Sequence, residues 1–314
     1  MDKRVIAVAM NPSIDKTILL SKLTPYGLNR ASGTRLDPGG KGINVGRVLH
    51  SFGVDVTVLG MMAGRQGDAL LELLKSSGLD CDFLKVEGET RTNYKLYDES
   101  AGKVTEINEP GFEVAPEQVS IFLEKLETMS AQAEIVVLSG SLPPGIPVDF
   151  YGNCTEIAKR KGAKVLLDAD GLALTEGLKA LPYAVKPNLK ELGTIFRQEF
   201  SNYRQVGEAA RKLIDRGIEI VIASMGPDGA VYANRDELFK ADSWNISVRS
   251  TVGAGDAMVA TLAYSILKQD SLHEIARLTT AASTITVSKD GTQFCSFEEV
   301  LKSAGKVNVR SLLY

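Results

Sequence analysis

The chain has 314 residues, 44% of them hydrophobic and 24% charged, with a formal net charge of −3. That length and balance fit a globular protein with a sizeable core. They exclude an overall field that would draw the chain to nucleic acid or an anionic membrane, and no apolar run is long enough to span a bilayer.

In chain order, Met1-Asp2-Lys3-Arg4 leads into an apolar run that reads as a strand and not as a signal peptide. Val5–Met10, Val56–Leu59, Ile135–Leu138, Val165–Leu167 and Ile220–Ala223 are apolar runs of strand length, buried on both faces by composition. Amphipathic helical spacing falls between them, near 43–52, 67–77, 116–129, 148–161 and 203–216, and two long helices are expected over 256–268 and 272–287. This alternation predicts an α/β fold, a mostly parallel sheet with helices on both sides. Two stretches break the rhythm. Residues 12–38 hold Thr17-Ile18-Leu19-Leu20 and a polar, basic run. Residues 89–111 read as a hairpin, Thr92–Tyr97 and Val104–Ile107 around Ser100-Ala101-Gly102. Together they predict a small β-lid on a core made of 1–11, 39–88 and 112–314.

Cys81, Cys154 and Cys295 are odd in number and far apart, as expected of reduced thiols in a cytoplasmic protein. With two histidines, His50 and His273, and no Cys-x-x-Cys, a zinc site is not expected.

The densest chemical signal is Ser250-Thr251-Val252-Gly253-Ala254-Gly255-Asp256. Two glycines precede an apolar helix, so main-chain N–H groups and the helix dipole can gather on one anion. A carboxylate beside an anion site fits a base that takes a proton from a hydroxyl attacking a phosphate. Asp256 also suits a plain helix cap. Gly39-Gly40-Lys41-Gly42, with Asn44 one turn later, opens another helix and reads as a sugar or phosphate contact, or as a flexible cap with a solvated lysine. Asp15, just past the first strand, can accept hydrogen bonds from two vicinal hydroxyls or close an Asx-turn.

Arg91 opens the hairpin, and Arg30, Arg35, Lys41, Lys95 and Lys103 share its irregular neighbourhoods. This local positive charge suggests a substrate that already carries a phosphate, with Arg91 the first choice, Lys41 and Arg30 next and the others slight. Lys186-Pro187-Asn188, with Glu191 three positions on, follows a strand. The pair Asn188 and Glu191 could hold Mg²⁺ through water or form a capping box. Ser224-Met225-Gly226-Pro227-Asp228-Gly229 is a glycine turn against which a nucleoside could lie, or a simple hairpin. Neither G-x-G-x-x-G after the first strand nor G-x-x-x-x-G-K-[ST] occurs, so phosphate chemistry here needs another scaffold than the dinucleotide fold or the P-loop.

Taken in order, Asn11-Pro-Ser-Ile-Asp15, Gly39-Gly-Lys-Gly-Ile-Asn44, Thr90-Arg-Thr-Asn93, Ser139-Gly-Ser-Leu-Pro-Pro-Gly145, Lys186-Pro-Asn188 through Glu191, and Thr251-Val-Gly-Ala-Gly-Asp256 resemble the ribokinase-like (PfkB) carbohydrate kinases nearly end to end. The resemblance implies a three-layer α/β sandwich with a β-lid, and ATP with Mg²⁺ as donor. By its motifs, Asp256 would be the base, and Gly253, Ala254 and Gly255 the anion hole. Asp15, Gly40, Lys41, Asn44, Arg91 and Ser139 would hold a sugar phosphate. Lys186, Asn188, Ser224, Gly226, Gly229 and Thr251 would surround the nucleotide, and Glu191 would order the metal through water. The lid text, Thr90–Leu96 and Val104–Asn108, looks most like the branch that phosphorylates fructose 1-phosphate at C6. Kinases of tagatose 6-phosphate or fructose 6-phosphate, and a sugar-phosphate sensor without turnover, remain the alternatives. The resemblance also implies a homodimer formed through the lid. Three positions depart from the family pattern: Ala257 and Thr261 after the base, and Asp170 in Asp168-Ala-Asp-Gly171.

Overall fold

The computed structural model describes residues 4–312. Met1–Lys3 and Leu313–Tyr314, which the sequence assigns to the core, lie outside the described residues. The chain begins β1 (Arg4–Ala9), β2 (Ser13–Leu20), β3 (Gly33–Gly39), α1 (Lys41–Ser51), β4 (Val56–Ala63) and α2 (Gly64–Ser76). It continues β5 (Asp80–Val86), β6 (Arg91–Asp98), β7 (Lys103–Asn108), α3 (Pro116–Ser130), β8 (Ala133–Ser139) and α4 (Phe150–Arg160). Then come β9 (Lys164–Asp168), α5 (Gly171–Gly177), β10 (Ala184–Val185), α6 (Leu189–Phe196), α7 (Tyr203–Ile214), β11 (Ile220–Ser224), β12 (Ala230–Ala233) and β13 (Leu238–Asp242). The last elements are α8 (Ala254–Lys268), α9 (Leu272–Thr286), α10 (Phe297–Ala304) and β14 (Asn308–Ser311).

Ten strands form the large sheet, in the order β14-β13-β12-β11-β10-β9-β8-β1-β4-β5. Pairing is parallel from β11 through β5, and antiparallel from β11 outward to β14. Each central strand feeds both faces, as the period of two requires. Val5, Ala7 and Ala9 of β1 join a core with α1, α8 and α9, while Ile6 and Val8 join a second core with α3, α4 and α7. Every strand and helix expected from the periodicity is present. The antiparallel edge strands β13 and β14 mix apolar residues with charged ones, so no apolar run announces them.

Residues from the two irregular stretches form a separate four-stranded sheet, β3-β2-β6-β7. β2 pairs with β6 in parallel, although the two are 70 residues apart in sequence, so Asp15 stands beside Asn93 and Thr17 beside Lys95. β6 and β7 form the expected hairpin, with Tyr94 opposite Ile107.

Position of the site follows from two close approaches. A Cβ on Gly42 would overlap the Val8 carbonyl, so α1 starts directly against β1. Gly253, at φ 79°, lets the chain turn into α8 in a conformation that side-chain-bearing residues avoid. Both helices thus begin at the carboxyl ends of the central strands, where ligands bind in open α/β sheets.

Candidate active site

A cavity of about 500 Å³ lies where the ends of β1, β8 and β9 meet the N-termini of α1 and α8, with the small sheet as its far wall. Most candidates from the sequence converge there: Asp15, Gly40, Lys41, Asn44, Arg91, Ser139, Lys186, Asn188, Glu191, Ser224, Thr251, Gly253, Gly255 and Asp256 all line it. Ala254, Gly226 and Gly229 do not. They line an adjoining, more apolar cavity of about 440 Å³ that shares Ser224, Thr251 and Gly255 with the first. Arg30 is exposed and outside the lining, Lys103 is exposed on β7, and Arg35 is engaged by Asp37 at 2.7 Å.

The first turn of α8 has no side-chain cap, so its leading N–H groups are open to a ligand. α1 is likewise uncapped at Gly40. Asn44 of α1 ties the two ends together by donating from Nδ2 to the Asp256 carboxylate at 2.7 Å. Asp256 is 6% exposed. Burial pushes its carboxyl up to about 6, Asp168 adds to the rise, and the Asn44 hydrogen bond, Lys41 and Lys186 restrain it. A carboxylate so tuned is ionised at neutral pH yet more basic than an exposed aspartate. If it works as a base, kcat/KM should fall about tenfold per pH unit below about 6. A pH–rate profile flat down to pH 5 would remove it from that role.

Behind Asp256 sits a buried charge cluster. Asp168, 1% exposed at the end of β9, lies 3.2 Å from Lys186 Nζ and 3.6 Å from Lys41 Nζ. Burial works to raise the Asp168 carboxyl, but Lys186 and Lys41 outweigh it and hold it below its ordinary value. Asp168 in turn raises Lys41 well above its usual range, against burial. Lys41 is therefore held as a cation. Lys186 Nζ lies 3.4 Å from where a Cβ of Gly255 would stand, so the glycine leaves the ammonium room beside the α8 amides.

Asn188 and Glu191 form the capping box of α6, with Asn188 N–H donating to Glu191 Oε2 at 2.8 Å and Glu191 N–H to Asn188 Oδ1 at 2.9 Å. A parallel bridge between Asn188 and Ser224 places these two residues side by side. Glu191 faces the cavity as well, and burial, with Asp168, raises its carboxyl.

One expectation needs correcting. Asp15 does not follow the first strand as a free carboxylate. It lies inside β2, 4% exposed, and is already engaged. Ser13 Oγ (2.9 Å) and Asn93 Nδ2 (3.2 Å) donate to Oδ1, and Lys95 Nζ (2.5 Å) to Oδ2. The cause is the β2–β6 pairing, which no local pattern announces. Arg91 is also partly occupied, donating to the carbonyls of Asn11 at 2.9 Å and Glu109 at 3.2 Å.

Sequence reasoning gave Lys95 little weight and missed Trp244, Ile246, Met258 and Thr284 of the apolar cavity. It also passed over Lys240, a buried lysine of β13 that donates to the Asp228 carbonyl and so pins the glycine turn. The chain's one tryptophan, in an irregular segment, was the available signal. Of the departures, Asp170 lines the main cavity, while Ala257 and Thr261 are buried in α8, with Thr261 Oγ1 bonded to the Ala257 carbonyl at 2.8 Å.

Buried polar atoms without a partner gather at this cavity. They include Asn11 Oδ1, Asn44 Oδ1, Asn93 Oδ1, Arg91 Nε and Ser139 Oγ. Native proteins rarely leave such atoms unsatisfied, so a polar ligand is expected to complete them.

The family model for pfkB family carbohydrate kinases matches residues 8–299. The chain belongs to that family. As a carbohydrate kinase of this kind it uses ATP as phosphoryl donor. It is 39% identical over 288 residues to the 1-phosphofructokinase of Xanthomonas campestris pv. campestris, covering 90% of this chain and 91% of that protein. It is 36% identical over 282 residues to the 1-phosphofructokinase of Bacillus subtilis, covering 90% and 92%. The crystal structure of Escherichia coli phosphofructokinase-2 in complex with potassium superposes on the kinase with a TM-score of 0.92 at 28% identity, over 98% of this chain and 99% of that one.

Proposed function

We propose that the kinase transfers the γ-phosphoryl group of ATP to the C6 hydroxyl of fructose 1-phosphate, giving fructose 1,6-bisphosphate and ADP. The observation that carries this reading is the buried Asp256 carboxylate at the uncapped start of α8, facing a wall that bears Arg91 and Lys95. Cations at both ends of one cavity suit an acceptor phosphorylated at the end remote from its reacting hydroxyl.

In this reading the C6 oxygen bonds to the γ-phosphorus as its proton passes to Asp256, and the bond to the bridging oxygen of ADP breaks. The α8 amides from Gly253 to Gly255, with Lys186 and Lys41, take up the charge that spreads over the phosphoryl oxygens. Arg91, Asn44, Gly40, Ser139 and Asp15 hold the sugar phosphate. The adenosine part lies in the apolar cavity against Gly226 and Gly229, with Thr251 and Ser224 between the two sites. The described residues hold no cluster that could bind a metal by itself. Glu191 fits Mg²⁺ held through water, with the nucleotide phosphates as inner ligands. Bound there, the ion would spread the negative charge of the phosphates.

The segments 12–38 and 89–111 act as a lid over the core in this account, keeping water from competing with the sugar hydroxyl. Tyr26, Leu28, Leu36, Val104 and Ile107 of these segments are exposed, and β3 and β7 are open edges. Such edges are usually covered, so we assign a homodimer that pairs the two lids. Sedimentation should give a dimer, with Ile107→Lys shifting it to monomer. The three unpaired cysteines suit the cytoplasm, and no helix among the described residues is long and apolar enough to cross a membrane.

ADP release measured with fructose 1-phosphate, tagatose 6-phosphate and fructose 6-phosphate tests the substrate. Fructose 1-phosphate should give the highest kcat/KM. A higher value for either competitor would overturn the assignment, and binding without turnover would make the protein a sensor.

A further inference from the structure

The cavity that must receive two anions is lined by six carboxylates and only four cationic side chains. Its wall charge therefore opposes its ligands unless individual carboxylates are cancelled in place. Asp168 is cancelled by Lys186 and Lys41. On the small sheet the same task falls to Lys95. This lysine is 6% exposed, unusual for its type, and Asp15 is the acceptor its ammonium meets among the described residues. Two of its three donors thus stay available at the cavity. The pair is built from the sheet itself, since Lys95 and Asp15 come from neighbouring strands 80 residues apart in sequence.

The carboxylate is constrained as much as neutralised. Ser13 and Asn93 fill Oδ1, and Lys95 takes one position on Oδ2. A carboxylate offers about four acceptor positions, so one remains for a ligand.

We infer that Lys95 is a specificity-determining residue of the sugar site. It cancels Asp15 so that the lid wall accepts a phosphorylated sugar. The inference rests on the sugar-kinase reading of this cavity but not on which sugar phosphate is preferred.

The test compares a charged acceptor, fructose 1-phosphate, with its neutral parent, fructose, by ADP release. Truncating one member of a buried charge pair leaves the other uncompensated, so Lys95→Met should raise KM for fructose 1-phosphate ~30-fold, with kcat and the KM for ATP within about threefold. For fructose, kcat/KM should change about threefold or less, because a neutral sugar does not feel the unmasked Asp15 charge. Lys95→Arg, which keeps the charge, should stay within about fivefold of the parent. The double variant Asp15→Asn/Lys95→Met removes both charges and should handle fructose 1-phosphate at least about fivefold better than Lys95→Met alone.

Equal losses on the two acceptors, or a double variant no better than the single one, would overturn the inference and leave Lys95 a structural residue. If Lys95→Met does not fold, Lys95→Arg and the double variant, neither of which strands a buried charge, decide it by the same ratio. If the parent enzyme prefers another sugar phosphate, the substrate proposal fails. The comparison then runs on that compound and its parent sugar. With no turnover at all, calorimetric binding of the two compounds gives the ratio.

Discussion

Asp256→Asn is expected to lower kcat by ~10²–10⁴ while leaving the KM of both substrates within about threefold. The size follows from the role. A positioned base acts on the proton only as the hydroxyl attacks, so its loss removes an interaction made in the transition state and not in the bound ground state. Asparagine keeps the shape of the side chain and an oxygen that can accept from Asn44 Nδ2, which lies 2.7 Å from the present carboxylate. The α8 amides and the lysine pair stay in place, so residual phosphoryl transfer should persist.

The same substitution should stabilise the protein at neutral pH. Burial raises the Asp256 carboxyl from 3.8 to about 6, so the folded chain binds this proton more tightly than the unfolded chain does. Between those values the folded state carries more protons, and stability falls as pH rises through the window. Above about 6 the full cost of the buried charge is present, an upper figure of ~3 kcal/mol from the shift. Below about 4 the cost is gone. Thermal melts should therefore show Asp256→Asn above the parent at pH 7.5, with the gap closing toward pH 4. A variant that is less stable at pH 7.5, or that keeps most of the parent kcat, would contradict the picture of a strained, buried base.

Gly253→Ala is expected to cost ~10²–10³ in kcat, the loss typical of one misplaced donor in an anion hole. Two effects combine. At φ 79° an alanine adopts a backbone conformation that costs roughly 1–2 kcal/mol. The new Cβ would also collide with the edge of the Phe294 ring. That ring cannot yield freely, because the Arg47 guanidinium stacks over it with 5.1 Å to the centroid. The turn must move instead, and the first amides of α8 move with it. In the proposed reading the opposite wall holds the sugar, so the KM for fructose 1-phosphate should change little. Steady-state kinetics on a variant shown to be folded would check this. A kcat within threefold of the parent would mean that these amides do not carry the transferred charge.

Arg47 and Phe294 also explain why this part of the site was hard to read in advance. Neither belongs to a motif, and they are 247 positions apart. They meet because α1 and the segment before α10 both pack against the start of α8. The same holds for Lys95. In the sequence it is one of several basic residues in an irregular stretch, indistinguishable from solubilising charge. A parallel pairing between strands of different segments makes it a buried partner of Asp15.

What the amino-acid order determined by itself was everything with a short period or a short reach. Apolar runs and helical spacing fixed the central strands and the main helices. The glycine turns at Gly39–Gly42 and Gly253–Gly255 marked the two helix starts, and Asn188 with Glu191 declared its own cap. Only the tertiary structure decided which of those pieces face one another. It set Asn44 on Asp256, placed Asp168 between two lysines, and turned Asp15 from an open carboxylate into a clamped one. The physical reason is that burial and Coulomb attraction depend on distance in space. Sequence periodicity reports which face of an element is apolar, and it carries no record of which charged residue from a distant segment will arrive there.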